Sequence, residues 1–413
     1  VRKLRVWLLR LIFIFTILGP GFITANVDND AGGIYTYAAA GAQFGYSLLW
    51  TMIPVAIVLT MAQEISARMG VVTGKGLSEL IREHFGLRIT FLLMCGLVLC
   101  NLGDVVSEFA GVASSLQLFG ISKYISVPLA AILVWSLVVF ADYKRLEKIF
   151  VLLSFLYIAY IVTAVLSSPD WTRAARDVVR IPGASEMRQP GYLYLAIGII
   201  GATIAPWQQF YLQASIVDKG TPRGDLKYSQ ADAIAGSLFS VVIAGFIVIA
   251  CSATLHRYGV LQIQSAADAA ESLKPLAGQY AFILFAIGLF NASIFAASIL
   301  PLSTAYTVCE ALGFESGLNK RFRQAPVFYW LYTLLLATGA GIILLPRFPL
   351  IRVAILSQVL NGLLLPVVLI FMLLLVNKQE LMGTFRNSRL YHSVAWVLTA
   401  VIILLIILMT LSQ

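Results

Sequence analysis

Residues 17–42 read ILGPGFITANVDNDAGGIYTYAAAGA. An apolar run leads into this stretch and another leads out. Between them stand Asn26, Asp28, Asn29 and Asp30, then Gly32 and Gly33. The surrounding chain decides what such a break means. It has 413 residues, 60% of them hydrophobic and only 12% charged, with a mean hydropathy of +0.88. Soluble domains are about 25% charged, so a soluble enzyme is excluded and the chain is an integral membrane protein. A polar, glycine-rich break in a membrane helix is ruinous in lipid. It is tolerated only where it lines a cavity or is buried in protein.

A second stretch breaks in the same way. Residues 192–217 read YLYLAIGIIGATIAPWQQFYLQASIV, with Gly201 and Pro206 near the middle and Gln208 and Gln209 just after. Eleven apolar segments can be read, at about 6–41, 46–69, 88–118, 125–141, 149–167, 191–216, 231–254, 278–309, 327–345, 350–376 and 390–411. They are continuous and not alternating, so they are helices and not barrel strands. The two broken segments are the first and the sixth. Five spans is an odd number, so a second five-span unit inserts upside down relative to the first. Paired broken helices in such units point to a transporter with its site at the breaks. The expected units are about 6–167 and 191–376, with an additional helix at about 390–411, all in one transmembrane domain.

The net charge of +9 sets topology and does not call for nucleic acid. With the N-terminus in the cytoplasm and eleven crossings, about two thirds of the 29 Lys and Arg fall inside, and the C-terminus lies outside. A prokaryotic plasma membrane is the expected location. The basic, apolar start resembles a signal peptide but lacks a small-residue cleavage site, so it is read as a retained first span. Cys95, Cys100, Cys251 and Cys309 lie within apolar runs and imply no disulfide framework.

Acidic residues inside spans default to function. Asp30 has two readings. It is a ligand for a hard cation, together with backbone carbonyls freed by the break, or it is the N-terminal cap of the second half-helix. Asp28 either lines the site or its vestibule, or bonds to the broken backbone. Asp104 and Glu108, one helical turn apart, form a polar route or pair with a Lys or Arg of a neighbouring helix. Glu64 has Arg68 four residues on, the spacing of a helical ion pair. In the tenth span, Gln358 and Asn361 are ion or water contacts or interhelical glue. His84, His256 and His392 all fall in loops or at span ends, so there is no histidine relay. No nucleotide-binding or nucleophile motif occurs, so the chain is expected to be no enzyme and to hold no cofactor. No obligate protein partner is evident beyond the lipid bilayer.

GPGF at 19–22 followed by Asp30-Ala31-Gly32-Gly33 resembles the opening of the NRAMP family of divalent-metal transporters, where GPGF precedes a DPGN motif. The resemblance runs on through SARMGVVTGKGLSEL (66–80), EFAG (108–111), RLEKIF (145–150), ATLH (253–256), AADAAESLKPLAG (266–278), SQVLNGLLLP (357–366) and ELMG (380–383). It covers almost the whole chain in order. It implies an all-α fold of eleven transmembrane helices, a LeuT-type inverted repeat of helices 1–5 and 6–10 with helices 1 and 6 broken.

The departures carry the substrate reading. DPGN becomes DAGG, so Asp30 is kept and the family's asparagine ligand is Gly33. The sixth-helix A-x-x-M-P-H pattern becomes Ala202-Thr203-Ile204-Ala205-Pro206-Trp207, so the metal-facing methionine is Ala205 and the first family histidine is Trp207. The second histidine position is Leu212. A thioether favours soft transition metals, and its loss removes that bias. A wide site of Asp30, free carbonyls at Gly33, Ala202 and Ala205, and amides Gln208, Gln209 and Gln358 suits an ion that keeps its waters, as Mg²⁺ does. Asp28, Asp104, Glu108, Trp207 and Asn361 are the expected vestibule or polar route. The pattern resembles the NRAMP-related magnesium transporters. It implies Mg²⁺ and Mn²⁺ carried by alternating access without proton coupling. The competing readings are a proton-coupled Mn²⁺/Fe²⁺ transporter like the rest of the family, and an organic-substrate carrier of the same fold. Restoring Met at 205 or Asn at 33 is expected to move selectivity back toward softer ions.

Overall fold

The first apolar segment resolves into two half-helices, α1 (Pro20–Val27) and α2 (Ala31–Phe44), separated by three residues. The computed structural model describes residues 19–140, 152, 157–263, 268, 269, 281–346 and 348–412. The start of the first apolar run, RLEKIF, the first part of segment 149–167 apart from residue 152, and nearly all of AADAAESLKPLAG lie outside those residues. The described residues are helical throughout, without strands.

After α2, a 3₁₀ turn (Gly45–Thr51) leads into α3 (Met52–Thr73). Then follow α4 (Leu77–Phe85), α5 (Leu87–Gln117), α6 (Lys123–Phe140), α7 (Ile158–Leu166), α8 (Trp171–Val179) and α9 (Ala184–Met187). The sixth segment is again two half-helices, α10 (Tyr192–Thr203) and α11 (Pro206–Lys219). The rest are α12 (Leu226–Cys251), α13 (Ala281–Leu312), α14 (Pro326–Ile343), α15 (Leu350–Val376), α16 (Gln379–Met382) and α17 (Arg389–Ser412).

Local chemistry sets the boundaries. Pro20 and Pro206 each stand at the first position of a half-helix, where the missing N–H costs nothing. Gly74 and Gly220 end α3 and α11 in the left-handed conformation that glycine adopts freely.

Eight helical stretches among the described residues are long and apolar enough to cross a bilayer. Three crossings separate this from the expected eleven: segment 149–167 lies only partly among the described residues, and the other two have a geometric reason. A crossing takes about 20 residues, and α10 and α11, at 12 and 14 residues, each fall short because the break divides them. The second half of the first segment and the second segment form one continuous helical stretch, Ala31–Thr73.

Glycines let the central helices meet closely. A Cβ on Gly201 would lie 1.9 Å from the Gln358 carbonyl oxygen and 2.3 Å from the Gly362 nitrogen. α10 and α15 therefore cross backbone to backbone, and that crossing brings Gln358 to the level of the first break.

Candidate metal centre

Each break leaves backbone groups without helical partners. At the first, the Asp30 side chain accepts the Gly33 N–H at 2.5 Å. The Ala31 N–H is taken at 3.2 Å by Glu108 Oε2 from α5, and the Glu108 carboxyl lies against that of Asp30. At the second, Pro206 has no N–H to return to the Ala202 carbonyl four residues earlier. The Thr203 carbonyl accepts instead from Gln208 Nε2 at 3.2 Å.

The two breaks face each other. The Asp28 carboxylate meets the backbone N–H of Ala205. The Tyr37 hydroxyl of α2 lies 2.9 Å from Thr203 Oγ1 at the end of α10. Thr203 Oγ1 itself donates to the Ile199 carbonyl at 2.7 Å, so Tyr37 is the donor of that pair. Tyr37 and Thr203 are site residues that the sequence reading missed. Their signal was slight: Thr203 is the last residue before the second break, and Tyr37 stands nearly two turns after the first.

Asp104 joins this centre from α5. Its two oxygens accept from Asn361 Nδ2 at 3.0 and 2.9 Å, and Gln358 Nε2 lies 3.4 Å away. Among the described residues Asp104 and Glu108 pair with no Lys or Arg; amides of α15 and the N–H of Ala31 take that place. Gln358 in turn packs on the break, since a Cβ on Gly32 would sit 2.2 Å from Gln358 Nε2. Asp28, Asp30, Asp104 and Glu108 are all buried. Oδ2 of Asp28, Oε1 of Glu108 and Oδ1 of Asn361 are buried without a hydrogen-bond partner, and such orphans ask for an ion, a proton or water.

The other expected residues divide: Gln208 reaches the second break, and the rest face elsewhere. Gln208 accepts a short hydrogen bond from Gln63 of α3, and Gln209 accepts from Ser66 of the same helix at 3.5 Å. Gln209 thus sits between α11 and α3, away from the carboxylates. Trp207 is buried in an aromatic stack with Tyr211, which continues to Tyr306 and Phe328. Ala202, Ala205 and Leu212 are buried too. His84, His256 and His392 bond to the Leu80 carbonyl, the Ala42 carbonyl and Asn377, none of them at the breaks. Glu64 and Arg68 form the expected ion pair at 2.9 Å. It extends to Gln230, Tyr391, Asn387 and the Phe385 carbonyl, tying the start of α17 to α3.

Among the described residues, no three His, Cys, Asp or Glu side chains group to hold a metal. The described carboxylates near the breaks come from two elements only, Asp28 and Asp30 from the linker and Asp104 and Glu108 from α5, beside carbonyls and amides. A cavity of about 750 Å³, lined by Ala39, Gln43, Ser114, Gln117, Arg352 and Ile355 among others, opens above them. Ile355 is one turn along α15 from Gln358, so its floor is close to the centre.

The Asp104–Asn361 pair has a measurable consequence. In Asn361→Leu the buried carboxylate loses its two short contacts and keeps the long one to Gln358 and one to the Ser357 side chain. Losing hydrogen bonds to a buried charged group costs about 1.5–3 kcal/mol. Asn361→Leu should therefore melt clearly below the parent in detergent, and Asp104→Asn in the same background should recover part of the loss.

Two helices broken at the same depth, apposed over buried carboxylates, define an integral membrane protein of the broken-helix, inverted-repeat class. Residues 21–412 match the family described as natural resistance-associated macrophage protein-like, Nramp, and the chain belongs to that family. The divalent metal cation transporter MntH of Ralstonia nicotianae is 30% identical over 410 residues, covering 93% of this chain and 88% of the relative. That of Deinococcus radiodurans is 27% identical, covering 95% and 88%. The manganese transporter of Eremococcus coleocola superposes with a TM-score of 0.73 at 22% identity, over 95% of this chain and 85% of that one.

Proposed function

We propose that this protein carries divalent cations, Mg²⁺ largely hydrated and also Mn²⁺, across a prokaryotic plasma membrane by alternating access and without proton coupling. The ion rests between the two breaks, on Asp30 with freed carbonyls and Gln358. The two five-span units, about 6–167 and 191–376, rock around it, with the N-terminus cytoplasmic and the C-terminus outside. The observation that carries the reading is the apposition of Asp28 and Ala205. The family's methionine position stands beside a carboxylate and is filled by a methyl group, so no soft donor reaches the site. The absence of a three-ligand protein cage among the described residues supports an ion that keeps several waters.

One observation favours proton coupling instead. The Asp30 and Glu108 carboxyls lie against each other, with no basic side chain among their hydrogen-bond partners in the described residues, and intramembrane acids in contact are groups a proton can use. Liposomes with a pH-sensitive dye in the lumen separate the two readings. Mg²⁺ or Mn²⁺ uptake should proceed without lumenal acidification, and a pH gradient alone should not accumulate metal. An inside-negative potential should accelerate uptake, since two charges moving through 100 mV gain about 4.6 kcal/mol. Metal-dependent acidification that is abolished in Glu108→Gln would establish the coupled mechanism.

A further inference from the structure

The GPGF stretch does not touch the candidate metal centre, yet its backbone is held by one side chain. Asp232, buried near the start of α12, accepts from the N–H groups of Gly19 at 2.8 Å, Gly21 at 2.7 Å and Phe22 at 3.2 Å. Those are the free donors at the N-terminus of α1, and a carboxylate is their natural partner.

The contact continues along one face of α12. Gly21 lies on Ala233, where a Cβ would come within 2.7 Å of the backbone. A Cβ on Gly236 would lie 2.5 Å from Phe22 Cα. At the break, Asn29 Nδ2 donates to Ser240 Oγ at 3.0 Å. Asp232, Gly236 and Ser240 recur every fourth residue, so they form one stripe about 12 Å long. The eight residues of α1 have the same length. The half-helix is therefore pinned at both ends, with glycines between, and joins α2 only through residues 28–30. Phe22 also packs on Phe239 of α12, with ring centroids 5.3 Å apart, so apolar contact holds the seat alongside the polar pins.

We propose that Asp232 is a releasable inner latch: its carboxylate holds α1 on α12 while the inner side is closed, and it must free the Gly19, Gly21 and Phe22 N–H groups for the ion to leave. The proposal rests on the alternating-access reading above. Once α1 lifts, this face of α12, with Asp232, Ser240 and the neighbouring Ser237, is a polar wall on the inner exit.

The test reads the movement without needing transport. The four native cysteines are replaced, and a single cysteine is placed at Ser237, one turn along α12 from the Ala233 on which Gly21 lies, or at Ser115 in α5 as a control; both positions are buried. Asp232→Ala removes three charge-assisted hydrogen bonds. It should speed labelling of the cysteine at 237 by about tenfold or more, and leave the cysteine at 115 as slow as in the parent. Gly236→Ala, which forces α1 off its seat with the carboxylate intact, should act in the same direction. Asp232→Asn, which keeps a carbonyl acceptor, should fall between. Labelling at 237 that is unchanged in both Asp232→Ala and Gly236→Ala, or that rises equally at 115 in both, overturns the latch. Selective labelling in a chain that moves no divalent ion in liposomes would leave the latch standing and overturn the transport reading instead.

Discussion

Asp30→Ala is expected to abolish divalent-cation uptake, by about 100-fold or more, while the chain still folds and inserts. The size follows from removing the charge that faces the ion in a buried site, a loss of about 3–5 kcal/mol. Asp30 also caps α2 through the Gly33 N–H, so an alanine variant by itself does not separate the two roles. Asn and Ser do. Both cap helices nearly as well as Asp, and neither brings a charge. Asp30→Asn should therefore keep a melting temperature close to the parent and lose uptake as completely as Asp30→Ala, which alone pays about 1 kcal/mol for the missing cap. Uptake of ⁵⁴Mn²⁺ or of Mg²⁺ read by a trapped indicator decides this. If Asp30→Asn transports at near-parental rate, the residue is a cap and the ion sits elsewhere, with Asp28 the next candidate.

Much of the architecture could be read from the chain because the membrane imposes simple rules. Continuous apolar runs fix helices, and polar breaks at Asp28–Asp30 and at Pro206 fix where backbone must be buried in protein. Glu64 and Arg68 could be read from spacing alone. The partners of the break residues could not, because they depend on which helices cross. Nothing local says that Asn361, not a Lys or Arg, meets Asp104, or that Gly201 and Gly362 let α15 approach closely enough to lay Gln358 on Gly32. The same limit turned Gln209 toward Ser66 of α3, since adjacent residues on a helix point about 100° apart and only one of the pair can face the break. Asp232 was passed over because it stands at the second residue of its apolar segment, where an acid usually meets water. The missing half of its signal lay 210 residues earlier: a helix that starts at Pro20 offers free N–H groups and no acceptor of its own.

Selectivity is expected to follow position 205. Ala205→Met returns a thioether to the break beside Asp28, in a buried setting where soft donors favour transition metals over Mg²⁺. The ratio of Mn²⁺ or Cd²⁺ uptake to Mg²⁺ uptake should rise about tenfold or more, mainly through loss of Mg²⁺. The added side chain also takes up space that the hydrated ion needs. Ala205→Leu fills similar volume without sulfur and separates the two causes: it should lose Mg²⁺ and gain no Cd²⁺. If Leu and Met give the same profile, size alone sets selectivity. Restoring the family's asparagine at 33 is a different matter from what the sequence suggested. A Cβ there would lie 2.5 Å from the Asp28 carbonyl oxygen and 3.2 Å from Asp30 Oδ1, and backbone yields less easily than a side-chain tip. Gly33→Asn must first shift the break that positions both carboxylates. It should lower the melting temperature and uptake of every ion together, and the double variant with Ala205→Met should be less active than Ala205→Met without being more selective. A double variant that is stable and strongly Mn²⁺-selective would mean that the break widens at little cost, and that the glycine at 33 serves the ion and not the packing.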